Sequence, residues 1–258
     1  MQEKSSSLNL SVFNAFEIVN YLISKDWCRL KDIAGDLNMD LAKAHRLLNT
    51  MVYQDYVEYD HVTRRYRLGL KFYTISYHMT KSGSLIAVAR EHMEWAADQL
   101  KETINLGVLS NSKMDVKHIY KVYGNSDAYR IDTPIGEDVK SYASALGKCM
   151  LAYMSPGEQS LVYHTIKFEK FTESTITSVD DLVLDLQKIK SKGYAIDDGE
   201  YHPNIFCVAT PIFSNTGSVN ASISVTTMRP VIPERIDQFY EVLAETARRI
   251  SKTLGYKS

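Results

Sequence analysis

Two neighbouring stretches decide the reading of this chain: MDLAKAHRLLNTMVY at residues 39–53 and YVEYDHVTRRYRL at residues 56–68. In the first, Asp40 stands where a helix N-cap belongs, because its carboxylate can accept from amides that a helix start leaves without partners. Leu41, Ala44, Leu47, Leu48 and Met51 recur at helical spacing and define a buried stripe. Lys43, His45, Arg46 and Asn49 are the polar residues of the same helix. The second stretch reads as a two-stranded ribbon with Arg64, Arg65 and Arg67 around its turn.

Upstream, SVFNAFEIVNYLIS at 11–24 has mainly helical apolar spacing, with Ser11 as the expected N-cap. RLKDIAGDL at 29–37 places Leu30, Ile33, Ala34 and Leu37 on one face, and Asn38-Met39 makes a tight turn. The order helix, helix, turn, helix, strand, turn, strand is that of a winged helix-turn-helix. Such a unit lays its third helix in the major groove of double-stranded DNA, while the wing reaches a flanking backbone or minor groove. Lys43, His45, Arg46, Asn49, Arg64 and Arg65 are therefore the expected DNA-binding residues. The competing reading is a small helical domain with ordinary solvated charges.

Composition sets the outer bounds. The chain has 258 residues, 30 Lys+Arg against 31 Asp+Glu, and a formal charge of −1, which excludes a polybasic protein and leaves charge placement as the informative quantity. A hydrophobic content of 45% with 24% charged residues is that of a globular protein with room for one large or two ordinary domains. No apolar run approaches the roughly 20 residues of a membrane span. MQEKSSSLNL lacks the apolar core of a secretory signal, so the expectation is a cytoplasmic protein without a membrane partner. Cys28, Cys149 and Cys207 are odd in number and far apart, which argues against a disulfide framework. His118, His164 and His202 show no ligand spacing, and neither a metal nor a cofactor is expected.

Residues 1–8 read as a disordered lead, 9–68 as the winged helix-turn-helix and 69–83 as a linker helix, apolar on more than one side, whose natural cover is a partner subunit. Residues 84–258 read as an α+β domain. It opens with a long helix at 85–101 whose inner side is Leu85, Val88, Ala89, His92, Trp95, Ala96 and Leu100. Short β-rich runs follow, including INLGVLS, KHIYKVYG and DAYRIDTP. Helices are expected over SYASALGKCMLAYM, after Ser155-Pro156, and over VDDLVLDLQKIKSKG closed by Gly193. YAIDDGE, NIFCVATPIF and SVNASISVTT read as strands, with a hairpin turn at NTG, and PERIDQFYEVLAETARRISKTLG as the last helix.

Taken together, AKAHRLLNTM with YRLG, then ASALGKCMLA, FTESTIT, KGYAIDDGE, CVATPIF and SVNASISV resemble the IclR (isocitrate-lyase-regulator) family of bacterial transcription factors over nearly the full length. The resemblance implies a dimer or tetramer whose winged helix binds an operator and whose C-terminal GAF-like domain closes around a small organic effector, commonly a carboxylate, sugar acid or aromatic acid. Carried over by position, the effector site comprises Ala145 and Leu146 at the start of the ALGK helix, Asp197, Cys207, Ser222 and Ser224. As i and i+2 on one strand, Ser222 and Ser224 share a face. Helix-opening amides at 145–147 suit a carboxylate. The chain departs from the family pattern at Ala42-Lys43, where Ser-Thr is frequent; at Lys140-Ser141-Tyr142, where Pro-Leu-His is frequent; and at Asn204, where glycine is usual.

Other readings stay in view. Cys207 could serve a redox sensor or enzyme built on the GAF-like domain, but an isolated cysteine in an apolar strand is more often a packed small hydrophobe. Asp197 and Asp198 are adjacent on a strand, point to opposite faces, and do not form a catalytic dyad. No catalytic residue is assigned. Tyr120, Tyr123, Tyr129 and Tyr142 either line a pocket or fill a sheet core.

Overall fold

A computed structural model describes residues 8–81, 84–125 and 134–257. The chain divides into two compact units, residues 1–81 and 82–258. No described helix is long and apolar enough to cross a membrane.

The first unit starts with α1 (Leu10–Ile23). Its N-cap is Asn9, whose side chain accepts from the Ser11 and Val12 amides, so Ser11, the expected cap, lies inside the first turn. A two-residue strand β1 (Cys28–Arg29) leads into α2 (Leu30–Asp36). Asn38, in the left-handed region at φ 49°, turns the chain into α3 (Leu41–Tyr53). Asp40 caps α3 by accepting from the Lys43 amide at 2.9 Å. Ala44, Leu48 and Met51 form its buried stripe, Leu47 is half-buried, and Leu41, expected in that stripe, is exposed in the first turn. The wing is β2 (Val57–Asp60) and β3 (Arg65–Leu68). β1 adds a third strand on the other side of β3, in the order β1-β3-β2. Ile18, Leu22, Ile33, Leu48, Val57 and Tyr66 make the core of this unit. It ends in α4 (Lys71–Thr80), where Phe72 packs edge-on to Tyr56 and no residue is fully buried. Tyr73, Tyr77 and Met79 stand exposed on it.

The second unit is a six-stranded antiparallel sheet. In chain order its elements are α5 (Leu85–Leu100), β4 (Thr103–Leu109), β5 (Asp115–Val122), β6 (Asp138–Lys140), a short 3-10 turn at Ser141–Ala143, α6 (Ala145–Ala152), α7 (Pro156–Thr165), α8 (Val179–Lys192), β7 (Ala195–Asp198), β8 (Ile205–Phe213), β9 (Val219–Met228) and α9 (Pro233–Thr253). The strand order is β6-β5-β4-β9-β8-β7. The expected DAYRIDTP strand lies outside the described residues, apart from Pro134. Ser155 begins α7 with a capping box, and Gly193, at φ 85°, ends α8.

Period-two alternation sorts the central strands into two faces. Ala221, Ile223 and Val225 of β9, with Phe206 and Val208 of β8, pack with α5 and α9. Met93 of α5, left out of the expected inner face although it falls four residues after Ala89, belongs to that core. Cys207 and Ala209 pack on the other side with the apolar residues of α6 and α8. β7 begins at Ala195, opposite Ala209, so Thr210–Phe213 of the antiparallel β8 extends past it. In that stretch Pro211 has no amide hydrogen, and Phe213 donates its own to the Ser251 hydroxyl of α9 at 2.9 Å.

Candidate functional site

On α3, residues three and four apart share a face. His45, Arg46 and Asn49 are exposed together, with Lys43 half-buried at the edge of that surface. The side chains of these four residues form no hydrogen bond or ion pair with other described residues. On the wing, Arg64 (φ 57°) and Arg65 are exposed. Arg67 is not available in the same way: its guanidinium meets Glu58 at 2.7 Å and lies 4.6 Å from the Trp27 ring centre.

In the second unit, a cavity of about 330 Å³ lies between the start of α6, the polar face of β8 and β9, and the loop after β7. Ala145, Leu146, Asp197, Cys207 and Ser224, five of the six residues expected at the effector site, line it. The sixth, Ser222, is fully buried and does not line it; its hydroxyl donates to the Leu146 carbonyl at 3.0 Å, bracing the helix that forms the wall. Thr226, two residues beyond Ser224 on the same face, takes the position that alternation would have extended to. His118, Ser144, Tyr201 and His202 also line the cavity, and the sequence pattern gave no sign of them. Tyr120, Tyr123 and Tyr142 do not; Tyr142 is buried, and its hydroxyl donates to the Glu169 carbonyl. Tyr129 lies outside the described residues. Lys140 is bonded to Asp115 at 2.8 Å, neither reaching the cavity nor facing water freely.

The start of α6 leaves backbone amides open beside the cavity. Ser144 caps it, accepting from the Gly147 amide at 3.2 Å, while the Lys148 amide bonds to the Ser144 carbonyl. The first helical amides, at Ala145 and Leu146, have no helical acceptor and lie at the cavity wall. Only glycine fits at 147, because a Cβ there would meet the Ser141 carbonyl oxygen at 2.2 Å.

Asp197 accepts from the Glu200 amide at 2.7 Å. Burial pushes its carboxyl up to about 6, against the lowering effects of that amide and of Lys148. Burial also drives His118 down to about 4, with Lys121 adding to the effect, so its imidazole is neutral at pH 7. No lysine or arginine is among the described residues lining the cavity. Cys207 has its Sγ 3.3 Å from the Thr226 hydroxyl, and burial pushes its thiol well above the ordinary value, the opposite of what a reactive thiolate needs. Asp198 points away from Asp197, as expected of neighbours on a strand, and pairs with Arg229 at 2.6 Å.

Behind the cavity, Lys148 is fully buried and bound by Glu200 and, at 2.9 Å, by Asp185. Burial alone would lower its value, but the two carboxylates outweigh that and hold it up. Burial pushes Glu200 up to about 7 despite Lys148, and its second carboxyl oxygen has no hydrogen-bond partner among the described residues. The Thr172 and Thr175 hydroxyls donate to the Gly199 and Glu200 carbonyls, each at 2.6 Å. The loop carrying Tyr201 and His202 is thereby anchored at its base. Its left-handed residue is Gly199 (φ 74°); Asn204, where the family usually has glycine, is not among the described residues with positive φ. No cluster of metal-ligating groups occurs among the described residues. A larger, more open groove of about 700 Å³ at the end of α9 holds none of the expected residues. Convergent polar groups, rather than size, mark the smaller cavity as the candidate site.

A helix-turn-helix with an exposed polar face on its third helix, joined in one chain to a separate α+β domain whose mainly apolar cavity carries a few convergent polar groups, points to a two-domain regulator of transcription. The chain belongs to the IclR family: residues 11–61 match the IclR helix-turn-helix domain, and residues 77–252 match the bacterial transcriptional regulator IclR C-terminal domain. An uncharacterized HTH-type transcriptional regulator of Haemophilus influenzae is 31% identical over 266 residues, covering 100% of this chain and 97% of that protein. The regulator KdgR of Escherichia coli is 28% identical, covering 95% and 93%. Among solved structures, an IclR transcriptional regulator from Alicyclobacillus acidocaldarius superimposes with a TM-score of 0.84 at 27% identity, covering 96% of this chain and 100% of that one. An IclR homologue from Microbacterium hydrocarbonoxydans, complexed with 4-hydroxybenzoate, shares the fold (TM-score 0.81, 21% identity, covering 95% and 98%). The family and these relatives are regulators of transcription, not enzymes.

Proposed function

We propose that this chain is a cytoplasmic regulator of a catabolic operon that binds operator DNA through α3 and the wing and is controlled by a small organic acid held in the cavity of its second unit. One observation carries the effector reading. The cavity offers free helix-start amides, the Ser224 and Thr226 hydroxyls and a neutral His118, with no lysine or arginine among the described lining residues. Such a lining suits a ligand with a single carboxylate directed at the α6 amides, and hydroxyl or carbonyl groups directed at Ser224, Thr226 and Asp197. A second carboxylate would lie near Asp197, with no lysine or arginine among the described lining residues to balance it. Lys43, His45, Arg46, Asn49, Arg64 and Arg65 are the DNA-binding residues of this reading, and Ala145, Leu146, Asp197, Cys207 and Ser224 the effector-binding ones, with Ser222 bracing the wall. The exposed apolar residues of α4 and of α1, such as Phe16, are the surfaces for self-association into a dimer or tetramer.

Control of DNA by the ligand requires that it bind one arrangement of the protein more tightly than another. A thermal-shift screen of mono- and dicarboxylic hydroxy, keto and aromatic acids, followed by titration of a complex with the gene's own upstream DNA, tests the proposal. A monocarboxylate that raises the melting temperature and changes DNA affinity supports it. Preference for dicarboxylates, or ligand binding with no effect on DNA, refutes it.

A further inference from the structure

Strand β1 pairs with β3 so that Arg29 stands directly opposite Arg65 and Cys28 opposite Tyr66. Cys28 and Tyr66 are buried, so the arginines point to the other, solvent face. Like charges directly opposite on antiparallel strands repel and destabilise the pairing. Neither arginine forms an ion pair or hydrogen bond with a described residue. Asp60 is the cross-strand partner of Arg65 on the other side, but its carboxylate is turned into the wing, accepting from Thr63 Oγ1 at 2.6 Å and the Val62 amide at 2.8 Å. The Thr63 hydroxyl bond also holds that carboxyl below its ordinary value. The adjacent cross-strand pair behaves in the opposite way: Glu58 neutralises Arg67, which also stacks on Trp27. The same small sheet thus satisfies one arginine twice over and leaves two facing arginines without a counter-ion.

Resting on the DNA-binding reading above, we infer that Arg29 and Arg65 form a clamp for one phosphate of the DNA backbone. Two guanidinium forks a strand's width apart can grip a single phosphodiester from both sides, and that anion removes the repulsion between them. Arg29 lies outside the helix and wing that the sequence pattern marks for DNA. It enters the interface because β1, too short to show any periodicity, aligns it with Arg65. A backbone contact carries no sequence information, so the clamp sets the position of the unit on the duplex rather than its choice of bases.

The test uses the full chain and fluorescence anisotropy over a range of salt concentrations. The two probes are a labelled duplex covering the gene's own upstream DNA and a labelled mixed-sequence duplex. Arg29→Gln and Arg65→Gln each weaken binding to both duplexes by the same factor, and each lowers the slope of log affinity against log salt by about 0.9, the loss of one phosphate. The double variant loses about the same slope as either single variant, because one phosphate is shared. Inorganic phosphate raises the melting temperature of wild type more than that of Arg29→Gln, with thermal melts confirming that the variants fold. An unchanged slope in Arg29→Gln, with Arg46→Ala impaired, overturns the clamp and leaves DNA binding by α3 intact. A double variant losing twice the slope overturns the sharing of one phosphate. Salt-insensitive or absent binding by wild type overturns the DNA-binding reading and the clamp with it.

Discussion

Arg46 and Lys148 are both cations on short helices, and the fold treats them in opposite ways. Arg46 stands in water on α3, capped by Asp40 but with no acid committed to its side chain. Lys148 is sealed inside the second unit between Asp185 and Glu200. A solvated charge costs the fold little and stays available to something outside the molecule, whereas a buried charge is expensive unless its partners are already present. The first unit therefore keeps its proposed DNA-binding groups on the surface. The second uses charge to fix the shape of its interior.

The sharpest way to break this contrast is Lys148→Met. It leaves Glu200 buried and Asp185 half-buried without a counter-ion and is expected to cost the second unit about 3–5 kcal/mol in denaturant unfolding. Replacing Asp185 and Glu200 by their amides in the same chain recovers much of that loss. A single variant within 1 kcal/mol of wild type, about the mean effect of any substitution, would mean that the cluster is incidental.

Next in size is Asp197→Asn, read by comparing unfolding of variant and wild type across pH. The carboxyl of Asp197 is raised in the folded chain to about 6, so the unfolded state releases its proton first as pH rises. Wild type therefore loses stability between roughly pH 4 and pH 6, by up to about 3 kcal/mol. The amide variant lacks that part of the loss and is the more stable protein at pH 7, and its side-chain oxygen still accepts from the Glu200 amide. Parallel pH profiles for the two proteins would refute the raised carboxyl.

Arg46→Ala probes the other side of the comparison. It is expected to weaken binding to the preferred duplex by about 1–3 kcal/mol, while the melting temperature of the free protein hardly moves. Loss of stability without loss of DNA binding would place Arg46 among structural residues. Smallest of all is Glu58→Gln, which releases Arg67. A surface pair of this kind contributes about 0.2–1 kcal/mol, so its unfolding curve should nearly overlay that of wild type.

What could be read from the sequence follows the range of the interactions involved. α3 and the wing were legible because their signals are local: a cap at Asp40, apolar residues a turn apart, a turn between two strand-like runs. The same is true of α8 with its glycine stop and of the β8–β9 hairpin. The N-cap of α1 was misplaced by two residues because Asn9 and Ser11 are both good acceptors, and only the path of the backbone decides between them. β1 and β6 escaped because two or three residues carry no periodicity; pairing with a distant strand makes them strands. In the cavity, the residues of the α6 start and of the paired strands followed from the resemblance, but His118 and Thr226 reach it through sheet register, which no local pattern records. Lys148 did leave a trace. A lysine inside ALGKCMLA, where every neighbour is apolar or glycine, has no water-facing side to occupy, so it must find an acid elsewhere in the chain.

The far end of β8 has a consequence for the molecule at high concentration. A bare rim of sheet invites a foreign strand to zip on through main-chain hydrogen bonds, the first step of many fibrils. Here two of the four overhanging residues offer no amide hydrogen, Pro211 by its chemistry and Phe213 because Ser251 has taken it. Copies of this chain that meet at that rim find fewer main-chain donors to pair with, which weakens it as a template.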